Sequence, residues 1–243
     1  MPTIMELLKA RGAYLLPGAT EPGRLSRRLY LSRRIASSYA EFEPIRDGLL
    51  GRGELHLTSV AKAFLVTMED FGVAHIESGV WRAANGEARK YLSGGWLEEY
   101  VASAVFEARA DEVFCGQKIA WEAAGFRGEN EVDVLARFGE KLFFCSCKAL
   151  KLRLEGNDVR TRERLMDALH EADNLADHFA RSDALVALAV TTDLIDEARG
   201  GVRFEPLHGK GAALGVHILS AEKLSWPVLV REVQRLFADQ PHA

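Results

Sequence analysis

Two carboxylates and a lysine stand at regular spacing around one predicted hairpin. Glu131 and Asp133 are separated by one residue, and so are Ser146 and Lys148. Strand side chains alternate, so each pair shares a face of its own strand. Gly139-Glu140 reads as a tight turn between strands Glu131–Phe138 and Lys141–Lys148. Counting outward from that turn sets Phe138 opposite Lys141, Asp133 opposite Ser146 and Glu131 opposite Lys148. All four polar residues then meet on one face, and Val132, Val134, Cys145 and Cys147 point the other way.

Charges at the end of a buried hairpin are costly unless something pairs with them. A hard divalent cation is one remedy, because Mg²⁺ and Mn²⁺ take carboxylate oxygens and keep several waters. Such an ion activates water and polarises a phosphodiester, and a neighbouring lysine stabilises the charge that develops. The same spacing also suits a cross-strand Glu131–Lys148 salt bridge with Asp133 facing solvent. Alternation alone does not choose between the two.

The elements that would position these residues follow in order. Trp96 to about Ala110 has a helical apolar face of Leu97, Tyr100, Val101, Ala104 and Val105, with Glu98 in its first turn. Val113–Glu122 is a strand, followed by the two strands of the hairpin. Asp158–Phe179 is a long helix, and Ala184–Thr191 is an apolar run suited to a strand buried on both faces. Gly215–Leu219 is a further strand and Ala221–Phe237 a closing helix. Upstream, Leu25–Tyr39 and Thr58–Phe71 read as helices. Val73–Ile76 and Gly79–Ala84 read as a hairpin with its turn at Glu77-Ser78, and Asn85-Gly86 reads as another turn. The expected division is residues 1–92, a helical and winged-helix-like module, and residues 93–243, an α/β (α+β) domain.

The runs Gly95–Val101, Asn130–Leu135 and Phe144–Lys148 together resemble the nuclease half of the CRISPR-ancillary Card/Can nucleases. More broadly they resemble the PD-(D/E)XK, restriction-endonuclease-like superfamily. The likeness covers about Gly94 to Phe237. It implies a mixed sheet flanked by helices and a divalent-metal-dependent endonuclease acting in antiviral defence. It implies Asp133 as metal ligand, Lys148 as the active-site lysine and Glu98 as an acid approaching the metal. Glu131 is the nearest further candidate for both metal and catalysis. Where the family often has Glu two residues before the lysine, this chain has Ser146, a poor magnesium ligand beside the site. The resemblance also implies a homodimer. Any cyclic-oligoadenylate activator would need a sensor that the roughly 90 preceding residues are too short to hold.

Composition is that of an ordinary globular protein, with 48% hydrophobic and 27% charged residues and a net charge of −4. That balance excludes a generic polyanion binder. No apolar run is long enough to span a bilayer, and the N-terminus lacks a signal-peptide pattern. Three cysteines are too few for a disulfide framework, and the expected location is cytoplasmic. Cys145-x-Cys147 reads as buried and apolar rather than as a zinc site. His170 and His178 read as helix-surface residues. Between Lys9 and Arg46 basic residues outnumber acidic ones, so Arg27, Arg28, Arg33 and Arg34 could face nucleic-acid phosphates. A solvated helix face explains them equally well. Lys210, in a glycine-flanked segment read as a loop, is a further candidate contact. Nucleic acid is the expected partner, with DNA favoured over RNA and no membrane. Two rivals remain: a DNA-binding protein whose nuclease fold does not cut, and an assembly subunit in which the sheet is scaffold.

Overall fold

The computed structural model describes residues 1–18, 25–123, 125–155, 158–179, 184–197 and 199–238. A six-stranded mixed sheet forms its centre, in the order β1-β4-β5-β6-β7-β10. These strands are β1 (Ala13–Leu15), β4 (Glu112–Ala123), β5 (Phe126–Phe138), β6 (Lys141–Lys148), β7 (Leu185–Val190) and β10 (Val216–Leu219). The first four strands pair antiparallel, whereas β6–β7 and β7–β10 pair parallel. Every residue of β7 is buried, which is why its sequence is continuously apolar rather than alternating.

Helices cover both faces. On one face lie α6 (Trp96–Glu107) and α9 (Trp226–Ala238), whose Leu97, Val101, Leu229 and Val233 share a core with Val134, Phe143, Cys145 and Ala187. On the other lie α7 (Val159–Phe179) and α8 (Glu205–Leu214), whose Leu165, Leu169 and Leu207 pack on Val186, Leu188 and Val190. A third cluster joins α1 (Ile4–Lys9) to Ile119, Val132, Leu135 and Phe144. No helix among the described residues is long and apolar enough to cross a membrane.

The remaining elements are α2 (Leu29–Ser37), α3 (Tyr39–Leu49), α4 (Ser59–Asp70), hairpin β2–β3 (Ala74–Glu77, Val80–Ala83), α5 (Gly86–Lys90) and a small hairpin, β8–β9 (Ile195–Asp196, Gly201–Val202). The expected helix Leu25–Tyr39 is two helices broken at Ser38. Leu31, Ile35, Tyr39 and Phe42 enter the same core across the break, so the apolar period runs on where the backbone does not. The turn of β2–β3 is Ser78-Gly79, both at positive φ (51° and 80°), one residue later than expected. Asn85 does not form a turn. Its carboxamide caps α5 by accepting the Ala88 N–H at 2.8 Å. The segment around Lys210 is not a loop. Pro206 opens α8 and Gly215, at φ 67°, closes it; the glycines inside the helix had disguised it.

Helix α5 leads through one wide turn, Tyr91–Gly95, into α6, with a kink at Gly94, whose backbone is not helical. Tyr91, Leu92 and Trp96 are buried in one core with the side chains of α2, α3 and α4. Trp96 stands 5.6 Å from the Tyr39 ring and 6.0 Å from the Phe42 ring.

Candidate active site

The sheet opens around Asp133. On one side the β5–β6 ladder ends at Val134 opposite Cys145, so Ser146 and Lys148 have no backbone partner on β5. On the other, Cys115 pairs with Val134 and Gln117 with Val132, but Gly116 and Asp133 between them do not pair. Gly116 has φ 65°, the left-handed region that glycine enters without steric cost. Face identity changes across this point. Val134 and Ala136 pack under α6, whereas Val132, which strict alternation puts with them, packs with α1. Val132 therefore departs from the face expected of it, because the twisted ribbon beyond Gly116 turns over.

Asp133 fills the opening. Its Oδ2 accepts the backbone N–H of Cys147 at 2.6 Å and lies 3.4 Å from the Ser146 hydroxyl. The expected neighbourhood of Asp133 and Ser146 is present, made by side chains instead of a continued ladder. The expected Glu131–Lys148 contact is absent. Glu131 pairs across the sheet with Lys118 of β4, and its carboxylate lies 3.9 Å from Lys90 Nζ. Lys148 instead forms a 2.8 Å ion pair with Glu171 of α7. The strands have diverged too far for the counted register to persist, and helices supply the partners.

Glu98 reaches the same region from the first turn of α6. Burial, reinforced by the charge of Asp133 and then of Glu131, pushes its carboxyl up to about 7, against a smaller opposing pull from Lys90. Asp133 is also raised, first by burial; the Cys147 N–H and Lys148 oppose this, and the charges of Glu171 and Glu131 add to it. Burial works against the Lys148 ammonium, but the hydrogen bond to Glu171 and the charges of Asp133 and Glu171 outweigh it and raise its pKa. Lys148 is therefore held as a cation. Glu98, Asp133 and Glu131 are hard oxygen donors whose charges act on one another, the donor type a hard divalent cation takes. Among the described residues, no three ligand-type side chains stand together at coordinating separation. A cleft of about 260 Å³, lined by Lys90, Glu98, Glu99, Arg28, Cys115 and Gly116, opens beside this set.

Sequence reasoning missed Lys90 and Glu171. Both come from other elements and carry no local spacing signal; only the tertiary fold brings them in. Most of the N-terminal arginines are engaged within the molecule. Arg28 bridges Glu99 and Glu87, Arg33 lies 3.8 Å from the centre of the Trp226 ring, and Arg34 bonds Thr67 and covers the Phe64 ring. Helix α2 packs on α6, so its cations reach acids and aromatic rings of the body. Arg27 is exposed beside a second cleft that also holds Asp70 and Glu87. Lys210 lies 2.9 Å from His170. The side chain of His178 lies outside the described residues. Cys115, Cys145 and Cys147 are buried free thiols in the apolar cluster under α6.

Comparison with known proteins bears on the fold and on the domain type. Residues 85–204 match the family model of the Card1-like endonuclease domain. The chain superposes on protein VC1899 from Vibrio cholerae with a TM-score of 0.70 at 19% identity, over 99% of this chain and 63% of that one. It superposes on Can2 from Sulfobacillus thermosulfidooxidans, whose structure holds cyclic tetra-adenylate, with a TM-score of 0.63 at 13% identity, over 99% and 62%. The chain thus spans under two thirds of the length of either solved protein. No curated protein matches it in sequence.

Proposed function

Because residues 85–204 form a Card/Can-like nuclease domain, we propose that this chain hydrolyses phosphodiester bonds of nucleic acid. Asp133, Glu98 and Glu131 would hold Mg²⁺ or Mn²⁺, and Lys148 would face the phosphate. The observation that carries this reading is geometric: Asp133 sits where the β5–β6 ladder ends, bonded to the Cys147 N–H, with the ion-paired Lys148 on the neighbouring strand. Burial, and then the charge of Asp133, lifts Glu98 beside it to about 7. A bound ion supplies an activated water and polarises a phosphoryl oxygen. Asp133 keeps its Oδ1 out of the Cys147 and Ser146 contacts, which both use Oδ2. Lys148, held charged, stabilises developing negative charge and does not serve as the base. Ser146 holds Asp133 in place and contributes no charge of its own.

The test uses plasmid DNA, single-stranded DNA and RNA, each with and without Mn²⁺, with wild type beside Asp133→Asn and Lys148→Ala. Each variant should lose roughly 100-fold or more in Mn²⁺-dependent cleavage, the size of one lost electrostatic contact in a transition state. Undiminished cutting by either sinks the site. The cellular role that fits is CRISPR-associated antiviral defence on DNA, in the cytoplasm, as a homodimer; light scattering tests the dimer. We read residues 1–92 as a winged-helix-like part and 93–243 as the nuclease part of a chain whose two parts share one apolar core.

Ser146 and the lack of a converged three-ligand group favour one rival: a nuclease fold that binds DNA without cutting it. Salt-sensitive binding with no Mn²⁺ requirement and no cleavage would establish that reading. A chain that binds neither nucleic acid nor metal would be an assembly subunit.

A further inference from the structure

We propose that Glu171 is the positioning residue of this site: it replaces, from α7, the anionic neighbour that strand β6 does not give Lys148. The inference rests on the nuclease reading above. Residue 146, on the same face of β6 as Lys148, is a serine, so nothing within the strand can fix the ammonium. Lys148 has no backbone partner on β5 either, because that ladder has already ended. Its side chain is about one third exposed and has four methylenes of freedom. Left alone, the ammonium would fall onto Asp133, whose charge it already feels.

Glu171, itself more than half exposed, prevents this by holding Lys148 Nζ at 2.8 Å. Its own position is set by α7. Ala168, Leu169 and Ala172 are buried against β7, so the helix cannot roll, and Glu171 is carried at the edge of that apolar stripe. Glu171 also belongs to the charges that raise Asp133, so it stands near both chemical residues. Its contact is to Lys148, and it acts through Lys148.

A double-mutant cycle tests this on the full chain. Wild type, Glu171→Gln, Lys148→Ala and the double variant are assayed for cleavage of a labelled oligonucleotide in Mn²⁺. Glu171→Gln keeps the side-chain shape and removes the charge. It should lower kcat about tenfold with KM changed by less than about twofold, as misplacement of a catalytic group does. In the Lys148→Ala background the same change should alter kcat by less than about twofold, since residues acting as one unit are not additive. Equal, additive losses in both backgrounds, or no loss in either, would overturn the proposal. So would a Mn²⁺ affinity reduced by about tenfold in Glu171→Gln, measured by calorimetry, which would make Glu171 a ligand.

If the wild type does not cut, the nuclease reading fails separately, and binding of a phosphorothioate oligonucleotide in Ca²⁺ decides on Glu171. Freed of its partner, Lys148 should then pair with phosphate, so Glu171→Gln should tighten binding about threefold. The same change in the Lys148→Ala background should have no measurable effect. Equal tightening in both backgrounds would show simple charge removal and overturn the proposal.

Discussion

At the scale of single residues, Asp133 has two duties that a mutation can separate. Its Oδ2 satisfies the Cys147 N–H at the point where the ladder has lapsed. Asp133→Ala leaves that donor unpaired and should cost about 1–3 kcal/mol of stability as well as activity. Asp133→Asn retains an acceptor and should lose activity while keeping most of the stability, which urea denaturation of both variants would measure. Glu98 makes a different prediction. Its carboxyl is raised to about 7 in the folded chain from an ordinary 4.5. Between those values the folded state holds more protons than the unfolded one, so stability is greatest at the acid end and falls as pH rises through 7. The expected span is about 3 kcal/mol, and Glu98→Gln should flatten that part of the curve in metal-free buffer. A Glu98→Gln curve as steep as wild type would refute the assignment. Asp133 and Lys148 were nameable as candidates from strand alternation, and Glu98 from the family resemblance. Glu171 and Lys90 were not, because what matters about them is which other element they meet.

At the scale of elements, the three central strands and both long helices were readable from apolar period and turn residues. The end of β6 at Lys148 falls where it was expected. The error lay in extending the register past Val134. Counting residues assumes that two strands stay side by side, and β5 and β6 cease to pair beyond Val134 and Cys145. Glycine matters again farther along the same ribbon. At Gly128 an added Cβ would stand 2.3 Å from a ring carbon of Trp121, whose indole N–H is tied to Asn130 at 2.8 Å. The ring lies across the bare backbone of the paired strand. Gly128→Ala should therefore destabilise by about 1–3 kcal/mol through overpacking. Combined with Trp121→Ala, the same change should cost almost nothing, and thermal melts of the four chains would show it.

At the scale of the whole molecule, the apolar core does not stop at the boundary expected from the sequence. Leu31, Ile35, Phe42, Phe64 and Tyr91 share it with Trp96, Tyr100 and Val134. Strand β1 also covers the outer edge of β4. A chain of residues 93–243 alone would expose Trp96 and Tyr100 and leave a bare strand edge. It should melt without a cooperative transition or aggregate, as circular dichroism and light scattering would report. A cooperative melt of that fragment would support the two-part organisation as separate folding units. Composition could not foresee this, since a helical module with its own apolar stripe looks the same whether it closes on itself or on a neighbour.

A β-sheet ordinarily acts as an electrical wall, its layer of backbone keeping the side chains of one face out of reach of those on the other. The lapse of both ladders at Asp133 puts a window in that wall. Glu98 looks in from the α6 side and Glu171 from the α7 side, and each is coupled to Asp133. The charge of Asp133 acts on Glu98, and that of Glu171 on Asp133, so charges carried by the two helix layers meet at one carboxylate in the sheet.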